Sequence, residues 1–173
     1  KILRMHGAWT RERTPEITDL GHGIVRLQST CGASSFGIHP FLRLLEQDCR
    51  EEKGVCYGVQ LVYSGNFALT AERNSFGTVR LSGGINDEQF CWKVKGGENF
   101  TSPQALLCYS ERGLGELSRE YADFIREKIM LPKFAFAPRP IVINNWEATY
   151  FNFNNEKICA LIDEAAKLGA DTF

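Results

Sequence analysis

Residues 1–110 predict a sandwich of antiparallel β-sheets, and the chain after them predicts a helix and then the first unit of a parallel α/β structure. Three observations carry this. Val55, Tyr57, Val59, Leu61 and Tyr63 alternate at period two, the spacing of a strand. Glycine turns recur up to Gly96-Gly97 with no helical spacing between them, as in all-β sandwiches. From about residue 111 the spacing changes. Leu114, Leu117, Tyr121, Phe124, Ile125 and Ile129 recur at helical intervals with charges between them.

Taken in order, Lys1 to Trp9 alternate loosely and Arg11-Glu12-Arg13 reads as a charged turn. Ile24 to Leu27 is a short strand after a turn around Gly21 and Gly23. Phe67, Leu69 and Ala71 resume the alternation after Ser64-Gly65-Asn66, which predicts a hairpin with the Val55–Tyr63 strand. Asn74-Ser75-Phe76-Gly77 is a turn leading into Thr78 to Leu81, and Gly83-Gly84 reads as the next break. Phe90, Trp92 and Val94 alternate as a further strand, and Leu106 to Tyr109 make a last apolar run. The helix is expected to end near Met130. Pro132, Pro138 and Pro140 then form a stiff connection that cannot continue a helix, with Phe134 and Phe136 expected to pin it to a neighbouring domain. Ile141 to Ile143 read as a buried strand. Asn154 or Asn155 suits a helix N-cap, and Ile158, Leu161, Ile162, Ala165 and Leu168 form one apolar stripe. Gly169 falls at the C′ position, and Ala170 to Phe173 begin a second strand. Strand, helix and strand in roughly 33 residues is the repeat of a parallel barrel or open sheet. The expected domains are 1–110, 111–140 and 141–173.

The chain has 173 residues, 43% of them apolar, with 20 basic and 21 acidic side chains and a net charge of −1. This balance disfavours a nucleic-acid or anionic-membrane surface, both of which need clustered positive charge. No apolar run approaches the roughly 20 residues of a membrane span. No leader of the charged-then-apolar kind opens the chain. It starts at Lys1 and stops at Phe173 inside an apparent strand, so it reads as an excerpt of a longer protein. The six cysteines contain no C-x-x-C pair and are expected to be reduced, mostly buried thiols of a cytoplasmic protein.

Chemistry concentrates after Ile143, where Asn144, Asn145, Trp146, Glu147, Thr149 and Tyr150 follow a core strand at once. Parallel α/β enzymes display their sites at the carboxyl ends of strands. An indole matches the C–H face of a sugar ring and adds an N–H donor, which singles out Trp146 and, with a weaker local setting, Trp9. Tryptophan also serves plain packing. Glu147 is the obvious carboxylate, but glycoside hydrolysis needs two and spacing gives it no partner. Asn144 and Asn145 suit either sugar hydroxyls or the support of the loop. His6, His22 and His39 share no ligand spacing with the cysteines and read as surface or turn residues. Ser34-Ser35 lacks the Gly-x-Ser-x-Gly frame, and the glycine pairs lead into strands rather than phosphate-binding helices. Asn99-Phe100-Thr101 matches a glycosylation sequon, a pattern common by chance. No metal and no cofactor is expected.

The block Arg139-Pro140-Ile141-Val142-Ile143-Asn144-Asn145-Trp146-Glu147-Ala148-Thr149-Tyr150-Phe151-Asn152-Phe153-Asn154 resembles the start of the catalytic barrel in bacterial α-galactosidases of glycoside hydrolase family 36. Gly32-Ala33-Ser34-Ser35 with His39-Pro40-Phe41, Tyr57-Gly58 with Leu61-Val62-Tyr63-Ser64-Gly65-Asn66-Phe67, and Phe90 with Trp92 resemble motifs of that family's N-terminal domain. Phe36-Gly37-Ile38 and the surplus cysteines depart from it. The resemblance implies the later part of an N-terminal β-supersandwich, a linking helix and the first βα unit of a (β/α)8 barrel. It implies a retaining hydrolase of terminal α-galactosides such as melibiose and raffinose, homotetrameric in some members.

The two catalytic aspartates of that family lie on later barrel strands, and a galactose-binding Asp-Asp pair follows the second strand. The sequence stops short of all of them, Asp171 not being one of the pair, so these 173 residues alone are expected to be inactive. The resemblance makes Trp146 a wall of the galactose pocket. It makes Trp9 the tryptophan that reaches a neighbouring subunit's site in tetrameric members. A noncatalytic carbohydrate-binding sandwich and a raffinose-synthase-like galactosyl transferase are the alternative readings. A lone βα unit without barrel neighbours would lose the burial of Ile141, Val142 and Ile143.

Overall fold

The computed structural model describes residues 1–35, 37–88 and 90–173; the departure noted at Phe36 lies outside them. Two compact units, Lys1–Phe124 and Ile125–Phe173, make up the chain.

Among the described residues the first unit has eight strands: β1 (Ile2–Ala8), β2 (Arg11–Thr18), β3 (Gly23–Gln28), β4 (Phe41–Leu45), β5 (Cys56–Val62), β6 (Phe67–Arg73), β7 (Val79–Ile85) and β8 (Gln104–Ser110), followed by helix α1 (Gly113–Phe124). They form a five-stranded sheet in the order β2-β1-β4-β5-β8 and a three-stranded sheet in the order β3-β6-β7. All named pairings are antiparallel. The antiparallel sandwich predicted for this region is the fold observed.

Two cores follow from the period-two alternation of the strands. Ile2, Leu42, Val59 and Leu61 of the larger sheet meet Leu27, Phe67, Leu69 and Ala71 of the smaller. The opposite face of the larger sheet presents Leu3, Phe41, Leu45 and Cys56 to Leu117 and Tyr121 of α1. The helical spacing of Leu114, Leu117 and Tyr121 is the reason α1 lies on that face. Arg43 shares it. Its guanidinium is buried between the Phe41 and Tyr121 rings, at 4.7 and 4.4 Å from their centroids. Burial there pulls its pKa below the usual arginine value.

Four strand-level expectations change. The Val55–Tyr63 and Phe67–Ala71 segments do not form a hairpin. β5 pairs with β4 and β8, whereas β6 pairs with β3 and β7. Stacking the two apolar rows face to face buries both, which side-by-side pairing would not. The intervening Ser64-Gly65-Asn66 bonds to other loops instead, with Ser34 N–H donating to Ser64 O at 2.8 Å and Gly32 N–H to Asn66 Oδ1 at 2.7 Å. Arg11-Glu12-Arg13 is the start of β2 rather than a turn. Gly83-Gly84 lies inside β7, where a Cβ on Gly83 would stand 2.3 Å from Leu69 Cδ2. Phe90, Trp92 and Val94 are not in a strand and are exposed. β8 closes the sheet on that side, and Phe90 and Trp92 pack on Phe100 at 6.0 and 5.6 Å.

Other expectations stand in part. Asn74 makes the β6–β7 turn, its Oδ1 accepting from Phe76 N–H at 3.0 Å and Thr78 N–H at 2.9 Å. All six cysteines are free, but only Cys49 and Cys56 are buried, because Cys31, Cys91 and Cys159 sit on loops or an exposed helical face. The histidines are not all surface residues. His22 is exposed, but His6 belongs to β1 and His39 is partly buried. Burial pushes the Cys56 thiol up to about 12, and that of Cys108 up to about 11. The Ser29 hydroxyl holds Cys31 below the ordinary thiol value. Iodoacetamide on the native 173-residue chain is therefore expected to label Cys31, Cys91 and Cys159 first, Cys31 fastest, and Cys49 and Cys56 only after denaturant. Peptide mass mapping against time reads the order.

The second unit begins with a π-helical turn (Ile125–Ile129), then carries α2 (Pro132–Ala135), α3 (Trp146–Thr149) and α4 (Asn155–Lys167). Phe134 and Phe136 are exposed within these residues, beside Lys133 Nζ at 4.6 Å and Arg126 Cζ at 5.9 Å respectively. α4 has the expected ends. Asn154 Oδ1 accepts from Lys157 N–H at 2.9 Å. Past the helix, Gly169 N–H donates to Ala166 O and Ala170 N–H to Ala165 O, both at 3.0 Å, a Schellman motif with Gly169 at C′. The Ile141–Ile143 strand is reduced to one parallel bridge between Val142 and Thr172, and Ile141 and Val142 are 59% and 63% exposed. A parallel strand is buried by neighbours on both sides and helices on its faces, and this unit supplies one neighbour.

Candidate functional site

The candidate site in the second unit is the turn that follows the bridge at Val142. Two amides build it. Asn144 Oδ1 accepts from Trp146 N–H at 2.8 Å, which starts the one-turn helix α3. Asn145 Nδ2 donates to Thr149 Oγ1 at 2.8 Å, and Thr149 Oγ1 donates back to Asn145 O at 3.1 Å. Both asparagines, left open between sugar binding and loop support, are engaged here in supporting the loop. Tyr150 N–H donates to Trp146 O at 2.8 Å and Asn152 N–H to Thr149 O at 2.9 Å, which closes the turn.

Trp146 stands on this turn and is 43% exposed. Two rings meet it nearly at right angles, Tyr150 with centroids 5.4 Å apart at 77° and Phe151 at 5.0 Å and 90°. Such T-shaped pairs are worth about 0.5–1.5 kcal/mol beyond the area they bury. Tyr150 has φ 47 and ψ −119, a region that costs a residue with a Cβ about 1–3 kcal/mol. Periodicity could not reveal that strain, although the run of Tyr150, Phe151 and Phe153 behind Trp146 was visible as an aromatic density. Glu147 is exposed, and among the described residues its carboxylate has no hydrogen-bond or ion-pair partner. Asp171 Oδ2 accepts from Ile141 N–H at 2.8 Å, a structural use of that carboxylate.

Trp9 belongs to the first unit. It occupies the tip of the β1–β2 hairpin, where Ala8 pairs with Arg11, and is 79% exposed. Thr10 and Arg13 adopt positive φ of 65 and 56, so the tip is tightly turned. Glu12 Oε1 accepts from Thr10 N–H at 2.9 Å. Further down, Arg4 and Glu16 face each other in register and form a two-pronged ion pair at 2.9 and 3.0 Å. The Arg4 guanidinium holds the Glu16 carboxyl below its usual range. Among the described residues, no group of three or more His, Cys, Asp or Glu side chains is placed to hold a metal ion. No helix there is long and apolar enough to cross a membrane.

The sequence and the fold both have known counterparts. Residues 1–95 match the glycosyl hydrolase family 36 N-terminal domain, and residues 99–173 match the family described as melibiase. The chain is 40% identical over 173 residues to α-galactosidase Mel36A of Lactobacillus acidophilus, covering 100% of this chain and 24% of that protein. Its structure superposes on the α-galactosidase of Lactobacillus brevis with a TM-score of 0.93 at 37% identity, over 98% of this chain and 23% of that one. It superposes on a variant of the family 36 α-galactosidase AgaA of Geobacillus stearothermophilus, in complex with raffinose, with a TM-score of 0.92 at 41% identity, over 98% of this chain and 24% of that one. The chain thus spans about a quarter of the length of the relatives it matches. An antiparallel sandwich, a helix packed on its outer face, and a strand–helix start of a barrel, matched along the whole sequence, mean that the chain belongs to glycosyl hydrolase family 36.

Proposed function

We propose that this chain is part of a longer enzyme that hydrolyses terminal α-galactosyl residues of melibiose- and raffinose-type oligosaccharides with retention of configuration. One observation carries the reading. The chain aligns from end to end with an α-galactosidase at 40% identity, and the aligned stretch includes the turn that presents Trp146. In this reading the indole forms one wall of the galactose pocket, its flat face against the C–H face of the sugar. Two carboxylic acids supplied by later barrel strands act as nucleophile and general acid/base through an oxocarbenium-like transition state. These residues bind and orient the sugar and take no part in the proton transfers. Trp9, at its hairpin tip, is proposed to complete the site of a neighbouring subunit in a cytoplasmic homotetramer. No cofactor has a role.

An enzyme of the relatives' length containing these residues is expected to release nitrophenol from p-nitrophenyl α-galactoside and galactose from raffinose, while the 173-residue chain releases neither. Turnover of a different glycoside in place of these would overturn the substrate assignment. Galactosyl transfer between sugars without net hydrolysis would indicate the transferase relative.

A further inference from the structure

Tyr150 is out of place in energetic terms. A tyrosine occupies φ 47, ψ −119, a conformation that glycine adopts readily and residues with a Cβ avoid. Such an outlier persists only where its surroundings over-determine it. Here the surroundings are the Tyr150 N–H to Trp146 O bond, the Asn152 N–H to Thr149 O bond and the Asn145–Thr149 side-chain pair. The turn brings the rings of both Tyr150 and Phe151 onto the same indole, each nearly at right angles to it. Their shared contact is Trp146.

We infer that Tyr150 is a positioning residue: its ring, with that of Phe151, holds the Trp146 indole in one orientation so that one face stays ready for a hexose ring. This rests on the reading of Trp146 as the sugar-contacting residue. A preset aromatic face costs the ligand less ordering on binding than a mobile one.

The test uses the full-length enzyme labelled with fluorotryptophan, the Trp146 fluorine line being identified by its loss in Trp146→Phe. Tyr150→Gly suits the backbone better and removes the ring, so its melting point is expected not to fall. Its Trp146 line is expected to broaden or double, which a lost ring current alone would not cause. KM for raffinose is expected to rise about 5- to 10-fold with kcat within about twofold, and the rise to vanish in a Trp146→Ala background, since coupled residues are non-additive. Tyr150→Phe should restore both the sharp line and KM. A single sharp line in Tyr150→Gly would overturn the inference, as would an equal rise in KM with and without Trp146. A broadened line in Tyr150→Gly, with KM unmoved by Trp146→Ala itself, would uphold the positioning role and overturn the sugar contact.

Discussion

Trp146→Ala in the full-length enzyme is expected to lower kcat/KM for raffinose about 10- to 100-fold, or roughly 1.4–2.8 kcal/mol of transition-state binding. The magnitude follows from what the ring would cover. Fully burying a large apolar side chain is worth about 1.5–3 kcal/mol, and a sugar ring stacked on the indole would bury part of it in the same way. Because the proposed contact is with the sugar rather than with the breaking bond, most of the loss should appear in KM. Trp146→Phe should fall between the two, keeping a flat face of smaller area. Steady-state kinetics on raffinose and p-nitrophenyl α-galactoside measure it, and an unchanged kcat/KM in Trp146→Ala would remove the residue from the pocket.

Gly113→Ala is expected to destabilise the first unit by about 2–6 kcal/mol, the sum of backbone strain and overpacking. Gly113 opens α1 at φ 86, and a Cβ there would stand 2.5 Å from both Arg50 O and Glu51 O and 2.6 Å from Lys53 N. All three are backbone atoms, so no side chain can swing aside. The approach is close because the 50–54 loop caps the helix. Gly113 N–H donates to Gly54 O at 3.0 Å, Leu114 N–H to Arg50 O at 3.1 Å and Gly115 N–H to Glu51 O at 2.9 Å. These are N–H groups of the kind a helix start leaves without partners inside the helix. Pushing the loop away would break all three bonds at once. Gly77→Ala is the control. It has nearly the same φ of 85, but its nearest neighbour is Arg73 Nη2 at 4.0 Å, so it should cost only about 1 kcal/mol of backbone strain. Urea denaturation of the two variants reads the difference, and equal midpoints would mean that the loop yields freely.

β5, the Asn74–Gly77 turn and both ends of α4 were legible in the sequence because each rests on local chemistry: an alternation, an Asx-type turn, a side-chain cap, a glycine at C′. β2 was not, because it is an edge strand with most of its side chains in solvent, so burial imposes no alternation on it. β4 was hidden for the opposite reason, since burial of almost every residue in Phe41–Leu45 erases the period-two contrast. The β5–β6 layer change was beyond local reading, because hairpin and layer crossing present the same alternation and differ only in what each strand faces. At the site, the exposed Trp146 after a strand was legible from the pattern of residue types. The backbone of Tyr150 was not, because no propensity places a tyrosine at that φ and ψ; only the closed turn around it does.

The larger sheet has one further consequence, for how freely its sequence can drift. In β4, Leu42 points into the core between the sheets while Phe41 and Leu45 point into the core under α1. A strand on the outside of a sandwich has a silent face, where every second codon can wander. β4 has none, and the usual refuge for neutral change is closed at both parities. Variation in this unit should therefore gather on the solvent-facing side chains of β2 and the exposed 93–99 segment, leaving the middle of the larger sheet as the slowest-changing lines of the text.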